Sequence, residues 1–141
     1  MGLMVYIGAA EELQVTASAD LRVESVAAGR HGVKQWFSQP AVQFVGAHTG
    51  CSCGFPSVMA EVPIEYYEGM PLQSDDRAAD LRSVRALIDL VRHALARFDC
   101  VELYPVADGD ESAPPKGVIE WPPGSLDPER LFFNERFMHV V

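Results

Sequence analysis

Two thiols stand two residues apart, with a histidine three residues before the first, in the run His48-Thr49-Gly50-Cys51-Ser52-Cys53-Gly54-Phe55. Thiolate and neutral imidazole are zinc ligands. Zinc takes sulfur at about 2.3 Å in a tetrahedron, which sets two coordinating sulfurs about 3.8 Å apart. An extended chain points residues i and i+2 the same way but holds them too far apart for that. The backbone must therefore bend, and the flanking glycines permit it. His48 has the opposite strand parity to Cys51 and Cys53, so it joins them only where the loop turns sharply. The common structural zinc pattern has two wider cysteine pairs, whereas this run has one. A fourth protein ligand would have to come from His31, His93, Cys100 or His139.

The same residues fit other chemistry. A bent Cys-x-Cys reaches the Cα separation of roughly 4.4–6.8 Å that a disulfide needs. So small a ring removes little chain entropy, so such a bridge would be labile and redox-active rather than stabilising. Cys51 or Cys53 with His48 as base would make a nucleophile, given a third group to orient the base. The plainest alternative is that the cysteines pack as small hydrophobes around a glycine turn. The chain would then be a non-enzymatic protein-interaction module with structural cysteines, and residues 56–73 and 108–116 would be its contact surfaces. A phosphate loop is excluded, because Gly54 is followed by Phe55-Pro56 rather than Lys-Ser/Thr. Asp108-Gly109-Asp110-Glu111 lacks the later ligands of a calcium loop and reads as an acidic turn.

The 141 residues carry 20 acidic and 11 basic side chains, a formal charge of -9, and 48% are apolar. That suits one domain over residues 1–141, large enough to fold without a disulfide or metal staple. Too few lysines and arginines are present to neutralise phosphates, which argues against nucleic acid and anionic membranes as partners. A protein partner or a homo-oligomer stays open. No apolar run approaches the roughly 18 residues of a membrane span. The start has no basic region and meets Glu11-Glu12 early, and the cysteine count is odd. We therefore expect a cytoplasmic protein.

The elements that must position the loop follow from periodicity. Residues 3–9 are apolar on both parities, which predicts a strand covered on both faces. Residues 21–26 alternate, and residues 41–47 make a strand leading into the thiol loop. Gly29 to Ser38 predicts a short helix carrying Val33, Trp36 and Phe37, stopped by Pro40. Leu81, Val84, Ile88, Val91, Leu95 and Phe98 recur at steps of three and four after the cap Ser74. They predict a helix over 75–98 with one apolar stripe. Residues 100–106 read as a strand, and Pro105 implies an edge or a strand end. Val118–Trp121 and Phe137–Val141 are short closing strands, and Asp127-Pro128 opens a short helix. The fold class is α+β: a mixed β-sheet of about five strands with the long amphipathic helix packed on one face.

Three stretches together resemble a group of small bacterial proteins that share a His-Thr-Gly-Cys-x-Cys-Gly-Phe run. They are Val5-Tyr6-Ile7; the run from Gln35-Trp36-Phe37-Ser38-Gln39-Pro40 to Val45-Gly46-Ala47 and the thiol loop; and Val101-Glu102-Leu103-Tyr104 with Asp108-Gly109-Asp110. Members often carry Gly between the cysteines, where this chain has Ser52. The resemblance implies no activity, so it assigns no catalytic residue.

Overall fold

The computed structural model describes residues 3–15, 18–48, 50, 52, 77–107, 109–121 and 136–140. Strand β1 (Leu3–Ala9) lies inside the sheet, antiparallel to β3 (Ala41–Gly46) on one side and to β4 (Val101–Ala107) on the other. Strand β2 (Arg22–Ser25) extends the sheet beyond β3. Strands β5 (Gly117–Trp121) and β6 (Arg136–Val140) extend it beyond β4. The order is β2-β3-β1-β4-β6-β5, and the β5–β6 pair is parallel, so the sheet is mixed. It has six strands rather than about five, because the brief Gly117–Trp121 segment pairs along its whole length with β6.

The long helix α1 (Arg77–Arg97) packs across one face. Its stripe of Val84, Leu87, Ile88, Val91 and Ala94 is buried against Val5, Ile7, Val45, Leu103 and Val140 of the sheet. Residues 74–76, where the start and cap were expected, lie outside the described residues, as do 56–73 and the short helix at Asp127. The helix reaches back to the chain's acidic segments through ion pairs from Arg82 to Asp20 (3.6 Å) and from Arg97 to Glu11 (3.3 Å).

The opposite face buries Tyr6, Val42, Tyr104 and Val106 together with Val26 and Val33. Burial on both sides is why β1 is apolar on both parities. The cover here is a 3-10 helix (His31–Trp36), not the longer helix expected over 29–38. A run this short gains too little from propagation to offset helix nucleation, and no side chain caps its start. Phe37 instead packs over β1, where a Cβ on Gly8 would come within 2.5 Å of its ring.

Pro105 corrects a second expectation. It sits in β4, which is interior, opposite Val5 of β1. The Val5 N–H points away from β4, toward the β3 side, where it meets Ser52. Val5 and Pro105 therefore face each other without a ladder bond, and the missing proline N–H is turned toward β6. The described β4–β6 pairing stops at Leu103, so no donor is needed there.

Candidate functional site

The thiol loop leaves the end of β3 and is bent at once. Gly50 N–H donates to the Ala47 carbonyl (2.9 Å), closing a turn over residues 47–50. Gly50 takes φ +85, a left-handed conformation that glycine adopts without strain. A Cβ on Gly46 would stand 2.7 Å from the Gly50 carbonyl oxygen, so the return of the chain requires glycine there as well. The chain thus turns sharply at the end of β3, between Ala47 and Gly50.

Two serines hold this turn. Ser83, fully buried on the apolar stripe of α1, accepts the His48 backbone N–H at 3.0 Å. Ser52, also fully buried, accepts the Val5 N–H (2.8 Å) and donates to the Val45 carbonyl (2.6 Å). Val5 and Val45 are the last partners of the β1–β3 ladder. The Ser52 hydroxyl stands where their direct hydrogen bond would be and closes the ladder through itself. His48 is half-buried. Arg22, paired with Gly46 in the β2–β3 register, brings a guanidinium nitrogen to 3.3 Å from where a Gly50 Cβ would lie. That arginine also pairs with Glu24 at 3.0 Å.

Cys51 and Cys53 themselves lie outside the described residues. Among the described residues, no three of His, Cys, Asp and Glu are grouped so as to hold a metal ion. The fold does place the residues considered as a fourth ligand. Cys100 borders a pocket with Ala10, Gln39 and Phe98. That is the far end of β1 from Val5, about 17 Å away at 3.4 Å per residue. His93 is ten residues beyond Ser83 on α1, about 15 Å along the axis. Its Nδ1 lies 2.7 Å from the Asp89 carbonyl oxygen. His31 opens the 3-10 helix, which covers the sheet face opposite α1. His139 is in β6, separated from β1 by β4. None of the four is a neighbour of the turn.

Two acids that look unremarkable in the sequence prove to be buried. Glu102 interrupts an apolar strand, and its carboxylate accepts the N–H groups of Ser38 and Gln39 and the Ser38 hydroxyl, all at 2.9 Å. Glu111, expected in an acidic turn, is 5% exposed. It takes an ion pair from Arg30 (2.5 Å), the Tyr6 hydroxyl (3.1 Å) and the Gly109 N–H (3.0 Å). Its backbone carbonyl accepts Trp36 Nε1 at 2.9 Å. Burial, then the Glu111 charge and hydrogen bond, push the Tyr6 hydroxyl well above its ordinary pKa. Burial, followed by the Glu102 charge, likewise pushes the Cys100 thiol up. These clusters clamp loops onto the sheet. A lone acid within an apolar strand was the available signal for Glu102, and nothing in the local sequence marks Glu111.

No family model, curated protein or solved structure matches this chain. No helix of the described residues is long and apolar enough to cross a membrane.

Proposed function

We propose that this chain carries a thiol site at Cys51 and Cys53 that binds a zinc ion, with His48 as the third ligand. The observation that carries the reading is the reversal of the chain between Ala47 and Ser52, since His48 has the wrong parity to join the cysteines on an extended strand. Two residues apart, the cysteine Cα atoms can stand no more than about 7 Å from each other. Both are bonded to Ser52, which is itself fixed against β1 and β3. A donor set held in advance loses less freedom on binding. A metal requires the thiolates, and binding releases their protons. Two thiolates and one imidazole leave the fourth position open to water or to a donor from a partner chain, a second copy included. The reading places the protein in the cytoplasm, where thiols stay reduced, and assigns it no nucleic-acid partner. Membership of the group with the His-Thr-Gly-Cys-x-Cys-Gly-Phe run belongs to the same proposal.

The test is metal analysis with thiol counting. Protein purified without chelator should carry about one zinc per chain, lost in a Cys51→Ser/Cys53→Ser variant. Cys100, its thiol pushed up by burial and the Glu102 charge, should react slowly with iodoacetamide at neutral pH. No metal, three freely titrating thiols and an unchanged melting temperature in the double variant would defeat the proposal. A native protein with a single titratable thiol, rising to three on reduction, would replace it with the redox pair.

A further inference from the structure

We infer that strand β2 pairs with the β2 of a second copy of this chain, antiparallel about a two-fold axis at Val23. The pairing makes no use of Cys51 or Cys53 and stands apart from the zinc reading. It begins with the direction of backbone groups. The Val5 N–H and the Val45 carbonyl are joined through Ser52, so Val45 turns its backbone groups to β1. Alternation along β3 turns those of Phe44 and Gly46 to β2, where they meet Glu24 and Arg22. Val23 and Ser25 therefore aim their N–H and C=O groups at the outer edge of the sheet. Among the described residues, β3 is the one strand paired with β2. Arg22, Glu24 and Ser25 are exposed, and Val23 is half-buried. An edge of this kind accepts another strand.

The charges choose the occupant and the register. Outward-bonding residues must meet outward-bonding residues, so Val23 can face Leu21, Val23 or Ser25 of a second β2. Facing Leu21 would set Arg22 against Arg22, and facing Ser25 would set Glu24 against Glu24. Facing Val23 sets Arg22 of each copy against Glu24 of the other, in the non-hydrogen-bonded pairs where side chains stand closest. Within one copy these two side chains already share a face, 3.0 Å apart. Val23 lies on the α1 side, packed against the core there, so two Val23 side chains extend that apolar layer across the axis. The order Arg-Val-Glu is thus complementary to itself, as a two-fold contact requires. Four residues bury little area, so the dimer is a weak one, formed at about 0.1–1 mM protein.

Sedimentation equilibrium reads the pairing at about 0.15 M salt, where the -9 charge of each copy is screened. The wild type should pass from monomer towards dimer between about 10 µM and 1 mM. Arg22→Glu alone and Glu24→Arg alone should each raise the dissociation constant at least about tenfold, because each sets like charges at both pairs. General repulsion predicts the opposite for Glu24→Arg, which lowers the net charge. An equimolar mixture of the two variants should form a heterodimer, since their charges then oppose each other. Val23→Pro should abolish the dimer and keep β2 on β3, because the nitrogen it blocks faces outward. Its circular dichroism should match the wild type; if it fails to fold, the two exposed charge variants decide alone. A wild type that stays monomeric up to about 1 mM overturns the pairing, even where the edge takes an extended peptide of another protein. A dimer that persists in both charge variants, or a mixture that does not associate, overturns it as well.

Discussion

The two faces of the sheet are held in different ways. Against α1, the contact is a continuous apolar stripe, and among the described residues of the helix Ser83 is the one buried polar side chain. On the other face the cover is short and irregular, and long-range polar bonds tie it down: Glu111 to Arg30 and Tyr6, and Glu102 to Ser38 and Gln39. A helix can rely on area alone, because 3.6-residue periodicity delivers a side chain to the interface at every turn. A six-residue 3-10 helix and a turn cannot, and directional bonds to buried acids take over.

Substitutions on the two faces should separate these modes. Leu87→Ala on the helix face should cost the most, about 3–4 kcal/mol in urea unfolding, through the cavity it leaves. A loss below about 1 kcal/mol would mean that the helix face is not close-packed. Glu111→Gln keeps the volume but removes the charge opposite Arg30 and turns an amide toward former donors. Its expected cost is about 2 kcal/mol. A cost near zero would show that apolar contact alone holds the second face.

Tyr6→Phe should cost about 1 kcal/mol at neutral pH, and its sharper signature is at high pH. Folding raises the Tyr6 pKa above its ordinary value of 10.0. The folded state therefore keeps a proton that the unfolded chain releases. That stabilisation is complete below about pH 10 and is lost as pH rises further. The wild type should weaken in alkaline melts from about pH 10 upward, more steeply than Tyr6→Phe; parallel profiles would remove Tyr6 as the cause. Last, Arg97→Ala should change stability by less than about 0.5 kcal/mol. Its ion pair with Glu11 is exposed on both sides, although its guanidinium also lies 5.0 Å above the Phe98 ring.

The same contrast governs what could be read from residues alone. The helix stripe, the doubly buried β1 and the strand leading into the thiol loop are periodic, and periodicity is local information. The thiol run is also legible, because Cys-x-Cys beside a histidine is a pattern of types and spacing. Pro105 misled because the harm a proline does to a sheet depends on which neighbour its nitrogen faces. That direction follows from the pairing partner and not from the chain around it. Ser52 and Ser83 look like ordinary loop and helix serines until the fold buries them next to unpaired backbone groups.

The sequence by itself determined the α+β class, the long helix with its buried stripe, and the presence of two thiols and a histidine within six residues. These depend on side-chain type and on the fixed periods of helix and strand. Only the tertiary structure decided that the chain reverses after β3, that Ser52 completes the β1–β3 ladder, and that Cys100 and His93 stand far from the turn. Each of those facts joins residues distant in sequence, as Val5 and Ser52 are. Hydrogen bonds between such residues exist only once the strands that carry them have been brought side by side.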